Sequence, residues 1–322
     1  MVVTYNHEKY IRQALDSILM QQVDFDYEIV IGEDYSVDGT REIVIEYKKR
    51  YPDKIKLLFK NYNIGAGANF LRTFETCSGD YIAYLDGDDF WSAADKLQKQ
   101  VDYLDKSPGI ALCFHAVQVL SEIDQSSSYI YTMPVGQTVF ALRDLLEGNF
   151  IPSCTTVFKK GLFGKFPDWY FQLGQGDWSL HLLNAQHGNI GYIDEVMASY
   201  RSHSGGGWTG MASLEREESI IATYEAFNSH LKFCYDSLIC SRMAEHYFDL
   251  LDRYEAEGDD ANFHRTALRA RSVLFRARGG RLLIMALLGM RCYSPWLYRV
   301  LRRVKSAVLK SPHHAAGGCS SP

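Results

Sequence analysis

Three carboxylates within four positions form the part of this sequence that is best suited to hold a cation. Asp86, Asp88 and Asp89 follow the apolar residues 83–85 and precede Phe90 and Trp91. Like charges this close repel one another, so a folded chain keeps them most easily with a cation among them. Oxygen ligands without Cys or His beside them favour Mg²⁺ or Mn²⁺ over zinc. The alternative is an acidic turn that caps the next helix, because Asp is a good N-cap residue.

Polar residues also follow the predicted strands at residues 2–4, 27–31 and 55–59. The carboxyl ends of parallel strands meet at one edge of a sheet, where α/β proteins bind their ligands. Carboxylates at such an edge can accept hydrogen bonds from a nucleobase or a ribose, whereas the alternative is a turn built on Asp38 and Gly39. We therefore expect a ligand pocket at these strand ends. The residues expected there are Thr4, Tyr5, Asn6, Glu33, Asp34, Asn63 and Gly65.

The sequence lacks both common phosphate-binding loops. No GxxxxGK[ST] segment occurs, and Gly65 and Gly67 follow the third predicted strand without the further glycine that a dinucleotide fingerprint needs. A divalent cation can replace such a loop by bridging the diphosphate oxygens of a nucleotide. We therefore expect the nucleotide and the metal ion at the same edge of the sheet.

Three later residues are candidates for the chemistry itself. Asp177 lies between Gly176 and Trp178 at the start of a predicted helix. It either caps that helix or acts as a general base, because a dry site beside an indole raises the pKa of a carboxyl group. Arg201 and His203 follow the last predicted strand, where a cation and an imidazole can bind diphosphate or a metal ion. A lone histidine is more often a surface residue, so the role of His203 stays open at this point.

The elements that must position these residues follow an α/β pattern. Strands and helical segments alternate up to Lys106, about every 25 residues, which predicts βαβ units and a parallel sheet. From residue 211 onward the sequence favours helix, with a break at 257–260. Between these parts we predict strands at 110–120, 155–158, 190–193 and 198–201, a loop at 122–128 and helices at 138–146 and 177–186.

Composition predicts a large folded domain with an extension. The chain has 322 residues, of which 47% are hydrophobic, and this length exceeds that of most single domains. Seven scattered cysteines without a CxxC pair favour free thiols in a reducing compartment. Because the first residues do not resemble a signal peptide and no apolar run reaches about 18 residues, we expect a cytoplasmic protein without a spanning helix.

Charge is distributed unevenly along the chain. Residues 261–322 contain twelve Lys or Arg and no Asp or Glu, whereas the rest contains 22 basic and 39 acidic residues. A basic end on an acidic body favours an anionic partner surface but not nucleic acid. Residues 296–305 mix aromatic, aliphatic and basic side chains, as in helices at the surface of an anionic membrane. A helical cap packed on the catalytic domain explains the same residues equally well.

The motifs together resemble family 2 glycosyltransferases, which have the GT-A fold. The resemblance covers roughly residues 1–210 and leaves 211–322 as a helical C-terminal region. Its motifs are jointly specific for the superfamily and poorly specific for the substrate. The segments that carry it are 2–6, 33–40, 63–65, 85–89, 176–178 and 200–206.

The resemblance implies an inverting enzyme with a Rossmann-like mixed central sheet flanked by helices. The implied roles are base contact for Thr4 and Asp34, ribose and metal contact for Asp86, metal ligation for Asp88, catalytic base for Asp177, and closure over the diphosphate for Arg201 and His203. Two departures stand out. Residues that usually precede the first strand are absent, so we expect the start to be short, and Glu33 replaces the commoner Asp, which puts its donor contact in question.

The expected reaction moves a sugar from a UDP- or dTDP-sugar to a hydroxyl of a glycan or lipid-linked acceptor, with Mg²⁺ or Mn²⁺. The resemblance implies a place in surface polysaccharide synthesis, at the inner face of the membrane, with the Gly-rich residues 205–210 as a lid. Two alternatives remain. A sugar nucleotidyltransferase would need a Gly-rich basic loop after the first strand, which residues 4–7 do not form. The other is a non-catalytic module that binds nucleotide or glycan.

Overall fold

The computed structural model describes residues 1–124, 127–173 and 176–277. The chain divides into two compact units, Met1–Phe227 and Asn228–Pro322. This division falls inside a helix, Ser213–His230, whereas the sequence suggests a boundary after residue 210. Compactness does not test which residues bind substrate, so the extent of the catalytic domain stays a prediction.

The described residues alternate between strands and helices in the first unit and are helical in the second. The strands are β1 Val2–Thr4, β2 Ile29–Glu33, β3 Ile55–Leu58, β4 Tyr81–Ala83, β5 Leu85–Asp86, β6 Phe90–Trp91, β7 Ile110–Ser121, β8 Tyr129–Tyr131, β9 Val139–Phe140, β10 Val157–Lys159 and β11 Asn189–Ser202. The helices are α1 Ile11–Leu19, α2 Thr40–Arg50, α3 Ala66–Thr76, α4 Lys96–Lys106, α5 Leu142–Leu145, α6 Gly176–Ala185, α7 Ser213–His230, α8 Asp236–Glu257 and α9 Asp260–Arg276.

The first sheet is parallel and has the order β3-β2-β1-β5. All five residues of β2 are buried, as expected for a central parallel strand covered on both faces. The carboxyl ends of its strands are aligned, with Thr4 beside Glu33 and Val3 beside Asp86. The predicted βαβ units and the predicted α/β fold class are therefore confirmed.

The second sheet is mixed and has the order β4-β10-β7-β11-β6, with β8 paired to β7 and β9 paired to β11. Strands β4 and β5 belong to one stretch of chain that is interrupted at Tyr84. Because β4 pairs in the second sheet and β5 in the first, this stretch joins the two sheets. The acidic segment that follows β5 therefore lies at their junction.

The helices of the first unit bury the apolar positions expected from their spacing. In α1, Ile11, Ala14, Leu15 and Ile18 recur at helical intervals and are all buried. Helix α3 packs on β2, where the side-chain amide of Asn69 donates to the carbonyl of Gly32 at 2.9 Å. This contact fixes the strand just before Glu33 and Asp34.

Several local predictions were wrong because pairing between distant segments decided the structure. The helix expected at 138–146 is strand β9 followed by the short α5, since β9 pairs with the early part of β11. The two closing strands predicted near residues 190 and 200 are one strand with bulges, held along its length by β7. Strands β6 and β8 and helix α4 were not predicted from the sequence.

The second unit contains α8 and α9, which confirms helix on both sides of the predicted break at 257–260, whereas the turn at residues 231–235 between α7 and α8 was not predicted. Gly258 ends α8 with a φ of 72°, a conformation that glycine adopts without strain. The Asp259 side chain accepts a hydrogen bond from the Asn262 backbone and so caps α9. No helix in the described ranges is both long and apolar enough to cross a bilayer. The predicted interfacial segment 296–305 lies outside these ranges.

Replacing Gly32 with Ala should destabilise the first unit. A Cβ atom there would lie 2.0 Å from Thr73 Oγ1 and 2.7 Å from Asn69 Oδ1, so α3 would have to move away from β2. We expect Gly32→Ala to lower the free energy of unfolding in urea by about 1–3 kcal/mol. Gly109→Ala is the matched control, because nothing lies within 4 Å of the Cβ built there. Equal losses in both variants would contradict the proposed packing.

Candidate active site

A cleft of about 860 Å³ lies at the carboxyl ends of the parallel strands. Another cavity, of about 900 Å³, is lined by Met1, Ile29 and Tyr81 at the amino ends of strands and contains none of the predicted site residues. The cleft is therefore the candidate site. The predicted residues that line it are Thr4, Tyr5, Asp34, Asn63, Asp86, Asp88, Asp177 and Arg201.

Asp86 is held at the cleft by two hydroxyl groups. The Tyr84 hydroxyl donates to Asp86 Oδ1 at 2.6 Å, and Ser153 Oγ donates to Oδ2 at 3.0 Å. Burial and the negative charge of Asp88 raise the pKa of Asp86 to about 7. Each of its oxygens keeps a further lone pair, so Asp86 can accept a hydrogen bond from a ribose or bind a metal ion together with Asp88.

Two histidines face one oxygen of Asp88. His203 Nε2 lies 3.1 Å from Asp88 Oδ2, and His7 Nε2 lies 3.6 Å from the same atom. Burial alone would raise the pKa of Asp88, but the contact with His203 and the nearby His7 lower it below its ordinary value. Asp88 is therefore ionised at neutral pH and accessible from the cleft, as a metal ligand must be.

Gly87 permits the close approach of the first strand to this acidic segment. A Cβ atom at residue 87 would lie 2.6 Å from Thr4 Oγ1 and 2.8 Å from His7 Nδ1. Thr4 Oγ1 in turn lies 3.3 Å from His7 Nδ1. The end of β1 and the residues after β5 therefore form one packed surface in the cleft.

Asp89 does not share the environment of the other two carboxylates. It is 1% exposed and accepts a hydrogen bond from the backbone N–H of Arg201 at 2.7 Å. Burial, together with the charges of Asp88 and Asp86, raises its pKa well above the ordinary value. Asp89 therefore joins the acidic segment to β11, and it is also one of the residues that line the cleft.

Arg201 supports the acidic segment from within the protein. Its guanidinium donates to the carbonyl of Asp88 and, at 2.5 Å, to Gln13 Oε1. It also lies 4.9 Å and 4.6 Å from the ring centroids of Tyr10 and Phe90. Arg201 also lines the cleft, and its predicted contact with a donor diphosphate stays a prediction. The bond to the Asp88 carbonyl indicates that Arg201 also positions Asp88.

Three residues expected to bind the donor are structural. Glu33 is fully buried, with Ser36 N at 2.6 Å from Oε1 and Arg41 Nε at 2.5 Å from Oε2. Asn6 Oδ1 accepts a hydrogen bond from Val37 N, and Gly65 precedes α3 with a φ of 86°. None of the three predicted residues, Glu33, Asn6 and Gly65, is among the described residues that line the cleft.

Asp34 and Asn63 form the remaining part of the predicted nucleotide pocket. Asn63 Nδ2 donates to the carbonyl of Asp34, and the Ile64 N–H donates to Asp34 Oδ1, both at 2.9 Å. These bonds orient the Asp34 carboxylate at the cleft and leave its Oδ2 for a ligand. The juxtaposition of Thr4, Tyr5 and Asp34 is thus compatible with base recognition, which stays a prediction.

Asp177 lies in the first turn of α6 and lines the same cleft. Asn149 Nδ2 donates to its Oδ2 at 3.3 Å. Burial raises the pKa of Asp177, although hydrogen bonds from Trp178 N and Asn149 partly oppose this effect. The indole of Trp178 is buried and donates to the carbonyl of Leu145 at 3.1 Å, so the ring anchors α6 and leaves the carboxylate facing the cleft.

The protein side chains near Asp88 fit a metal ion that takes its remaining ligands from a substrate. In the described part of the chain, no group of three or more His, Cys, Asp or Glu side chains could hold a metal ion. Asp88 and His203 offer two ligands, and Asp86 lies beside them. Mg²⁺ in nucleotide-binding proteins characteristically uses one or two carboxylates together with substrate phosphates.

Four residues at the site were not predicted from the sequence: His7, Tyr84, Ser153 and Asn149. His7 follows the polar residues at the end of β1, and that position was the one available signal for it. Tyr84 lies two residues before Asp86, whereas Ser153 and Asn149 contact Asp86 and Asp177 from distant parts of the chain, where no local pattern marks them.

The sequence and the fold are similar to those of known proteins. Residues 1–165 match the model of the family described as "Glycosyl transferase family 2". The uncharacterized protein Rv1520 of Mycobacterium tuberculosis is 36% identical over 206 residues, which are 64% of this chain and 59% of that protein. The dTDP-rhamnosyl transferase RfbG of Shigella flexneri is 30% identical over 214 residues, or 63% of this chain and 71% of that protein.

A solved structure is similar over most of the chain. S. aureus TarS 1-349 in complex with UDP-GlcNAc superposes with a TM-score of 0.66 and 17% identity, covering 95% of this chain and 90% of that one. This similarity concerns the fold and confirms the predicted GT-A architecture. The chain aligns with only 59% of the length of the mycobacterial relative.

Replacing Arg201 with Ala should loosen the acidic segment. The substitution leaves the Asp88 carbonyl without its donor and removes the guanidinium from the rings of Tyr10 and Phe90, so we expect a loss of about 2 kcal/mol or more in the free energy of unfolding. Arg12→Ala is the control, because Arg12 pairs with Glu46 at 2.7 Å on the surface and such pairs contribute about 1 kcal/mol or less. Similar losses in urea denaturation would refute the supporting role of Arg201.

Proposed function

Because the chain belongs to glycosyl transferase family 2, we propose that it transfers a sugar from a UDP- or dTDP-sugar to a hydroxyl of a glycan or lipid-linked acceptor. The observation that carries this proposal is that Asp88 and Asp177 line one cleft, while His203, which is not a lining residue, contacts Asp88 Oδ2 at 3.1 Å. The relative named for dTDP-rhamnosyl transfer and the similar fold crystallised with UDP-GlcNAc support a pyrimidine nucleotide donor. The product is a surface polysaccharide such as O-antigen, capsule or exopolysaccharide.

The donor occupies the part of the cleft formed by the first sheet. Thr4 and Asp34 contact the base, and Tyr5 and Asn63 lie beside them. Asp86 accepts a hydrogen bond from the ribose. Since these residues leave adjacent aligned strands, the nucleotide binds across the ends of β1, β2 and β5, as ligands do in open α/β sheets.

Asp88 and His203 would hold the divalent cation, with Asp86 assisting. When bound, Mg²⁺ or Mn²⁺ supplies positive charge to the diphosphate that leaves the sugar. His7, at 3.6 Å from Asp88 Oδ2, helps to fix the orientation of that carboxylate. Arg201 keeps the segment in place through the Asp88 carbonyl.

Asp177 acts as the general base. It takes the proton of the acceptor hydroxyl while that oxygen forms a bond to the anomeric carbon and the bond to the diphosphate oxygen breaks. A single displacement of this kind inverts the anomeric configuration, through a transition state like that of glycoside hydrolysis. The half-buried position of Asp177 and its raised pKa make it a stronger base than a surface carboxylate.

Gly205, Gly206 and Gly207 also line the cleft, after the last strand. We propose that this segment closes over the donor and excludes water, which would otherwise hydrolyse it. Residues 1–210 then form the catalytic domain. The remaining residues lie at the inner membrane surface, a proposal supported by Arg265, exposed Leu268 and Arg271 on α9 and by the basic residues that follow in the sequence.

Asp88→Asn and Asp177→Asn should separate binding from chemistry. In the wild type, UDP with Mn²⁺ should raise the melting temperature, because a ligand at one hundred times its Kd adds about 2.7 kcal/mol of stability. Asp88→Asn should lose this shift. Asp177→Asn should keep it but lower sugar transfer, or donor hydrolysis, by about 10²–10⁴-fold.

Asp26→Asn is the matched control, since Asp26 is exposed and lines the other cavity. It should retain both the thermal shift and the activity. A nucleotidyltransferase would instead form nucleotide sugar from a sugar phosphate and UTP or dTTP. A binding module would show the thermal shift without hydrolysis that depends on Asp177.

The rate should fall at acid pH with a midpoint set by Asp177. Burial raises the pKa of Asp177 above the ordinary value of 3.8, and only the ionised carboxylate accepts a proton. As the pH is lowered, kcat/KM should therefore fall with a midpoint above pH 3.8. Asp86 also titrates, with a pKa raised to about 7. Measuring the binding of UDP and Mn²⁺ over the same pH range separates its effect on binding from the effect of Asp177 on the rate. A midpoint at or below the ordinary value would rule out this role for Asp177.

A further inference from the structure

A row of side chains crosses three strands of the second sheet and faces the cleft. In the paired register, Tyr129 of β8 lies opposite Val119 of β7, and Val119 lies opposite Tyr200 of β11. All three residues line the cleft, as does Tyr131, two residues further along β8. Side chains alternate between the two faces of a strand, so Tyr129 and Tyr131 share the face toward the cleft.

The hydrophobic core supports most of this row. Val119, Tyr131 and Tyr200 pack against the main hydrophobic core cluster. Tyr129 lies at the outer end of the row and is 56% exposed. The row therefore offers a preformed aromatic surface that is open to solvent on one side.

The row also lies close to the acidic centre. Burial raises the pKa of Tyr200, and the charges of Asp89, Asp88, Asp86 and Asp177 raise it further. The residues proposed to bind the base belong to the first sheet, whereas the row belongs to the second. A molecule on the row is thus near Asp177 but outside the donor pocket.

The charge of the cleft limits what can bind there. Of the described residues that line it, five are Asp, and Arg201 is the one Lys or Arg. Its guanidinium is already bonded to the Asp88 carbonyl and to Gln13. Arg201 Nε also lies 3.9 Å from Glu122 Oε1, so its charge is paired within the protein. The described lining residues therefore offer no unpaired Lys or Arg to neutralise a phosphate or carboxylate of an acceptor, which the ionised carboxylates would repel.

We propose that Tyr129, Val119 and Tyr200 bind the sugar ring that carries the attacking hydroxyl, and that this ring belongs to a neutral glycan and not to a polyol phosphate or an acidic sugar. The assignment rests on the proposed function, since it needs a donor in the first-sheet part of the cleft. A pyranose presents C–H groups on its face and hydroxyls at its edge. The face stacks on the tyrosine rings, while the edge turns toward Asp177 and Asn149.

The first test compares Tyr129→Ala with Ile130→Ala. Ile130 is 61% exposed on the same strand, on the opposite face, and does not line the cleft. With UDP and Mg²⁺ present, we expect Tyr129→Ala to weaken the binding of neutral disaccharides about tenfold, measured by saturation-transfer NMR titration. Tyr129→Phe keeps the ring and should bind within about threefold of the wild type. Equal effects of Tyr129→Ala and Ile130→Ala would overturn the assignment.

The second test compares acceptor classes on the wild-type protein. Neutral methyl glycosides and disaccharides should bind, whereas glycerol phosphate oligomers and methyl glucuronide should bind at least about tenfold more weakly. Tighter binding of the anionic probes, or no binding of any neutral probe, would overturn the inference. Loss of the thermal shift with UDP and Mn²⁺ in the wild type would instead reject the proposed function, and Tyr129→Ala should leave that shift unchanged.

Discussion

Repulsion among the carboxylates after β5 is the constraint on which the rest of this structure depends. The fold resolves it by giving each carboxylate a different environment. Asp89 is buried and bonded to a backbone N–H, Asp86 is held by hydroxyls with a pKa raised to about 7, and Asp88 faces two histidines that favour its ionised form. Before a ligand binds, Asp88 is therefore the one carboxylate of these three that is fully ionised and faces the cleft. A bound cation and its diphosphate would complete an arrangement that the protein leaves partly uncompensated.

The break at Tyr84 makes this arrangement possible. One stretch of chain pairs first with the second sheet and then with the first, so the acidic segment emerges where both sheets end. The first sheet contributes the residues proposed to bind the nucleotide, and the second contributes the aromatic row and the strand that carries Arg201 and His203. In the proposed arrangement, donor and acceptor would therefore approach the same carboxylates from different sheets.

Among the described residues that line the cleft, no Lys or Arg has an unpaired charge, and this affects how the donor and the metal ion can bind. A nucleotide diphosphate without its metal would meet several carboxylates and only one, already bonded, guanidinium. The metal and the donor should therefore bind together, each supplying part of what the other lacks. The negative charge of the cleft also disfavours acceptors that carry a phosphate or a carboxylate. One property of the cleft thus bears on cofactor use, donor binding and acceptor choice.

Local sequence determined the α/β class, the positions of β1, β2, β3 and the C-terminal helices, and the identity of Asp88 and Asp177 as candidate residues, because periodicity and clustered charge are short-range signals. The tertiary structure alone decided what each side chain meets. Glu33 is as acidic as Asp34 in sequence, yet Arg41 and Ser36 bind it within the protein. His7 and His203 converge on Asp88 from opposite ends of the first unit only because β1 and β11 end beside β5 and β6. Such contacts join residues distant in sequence and depend on strand order and register, which no local pattern encodes.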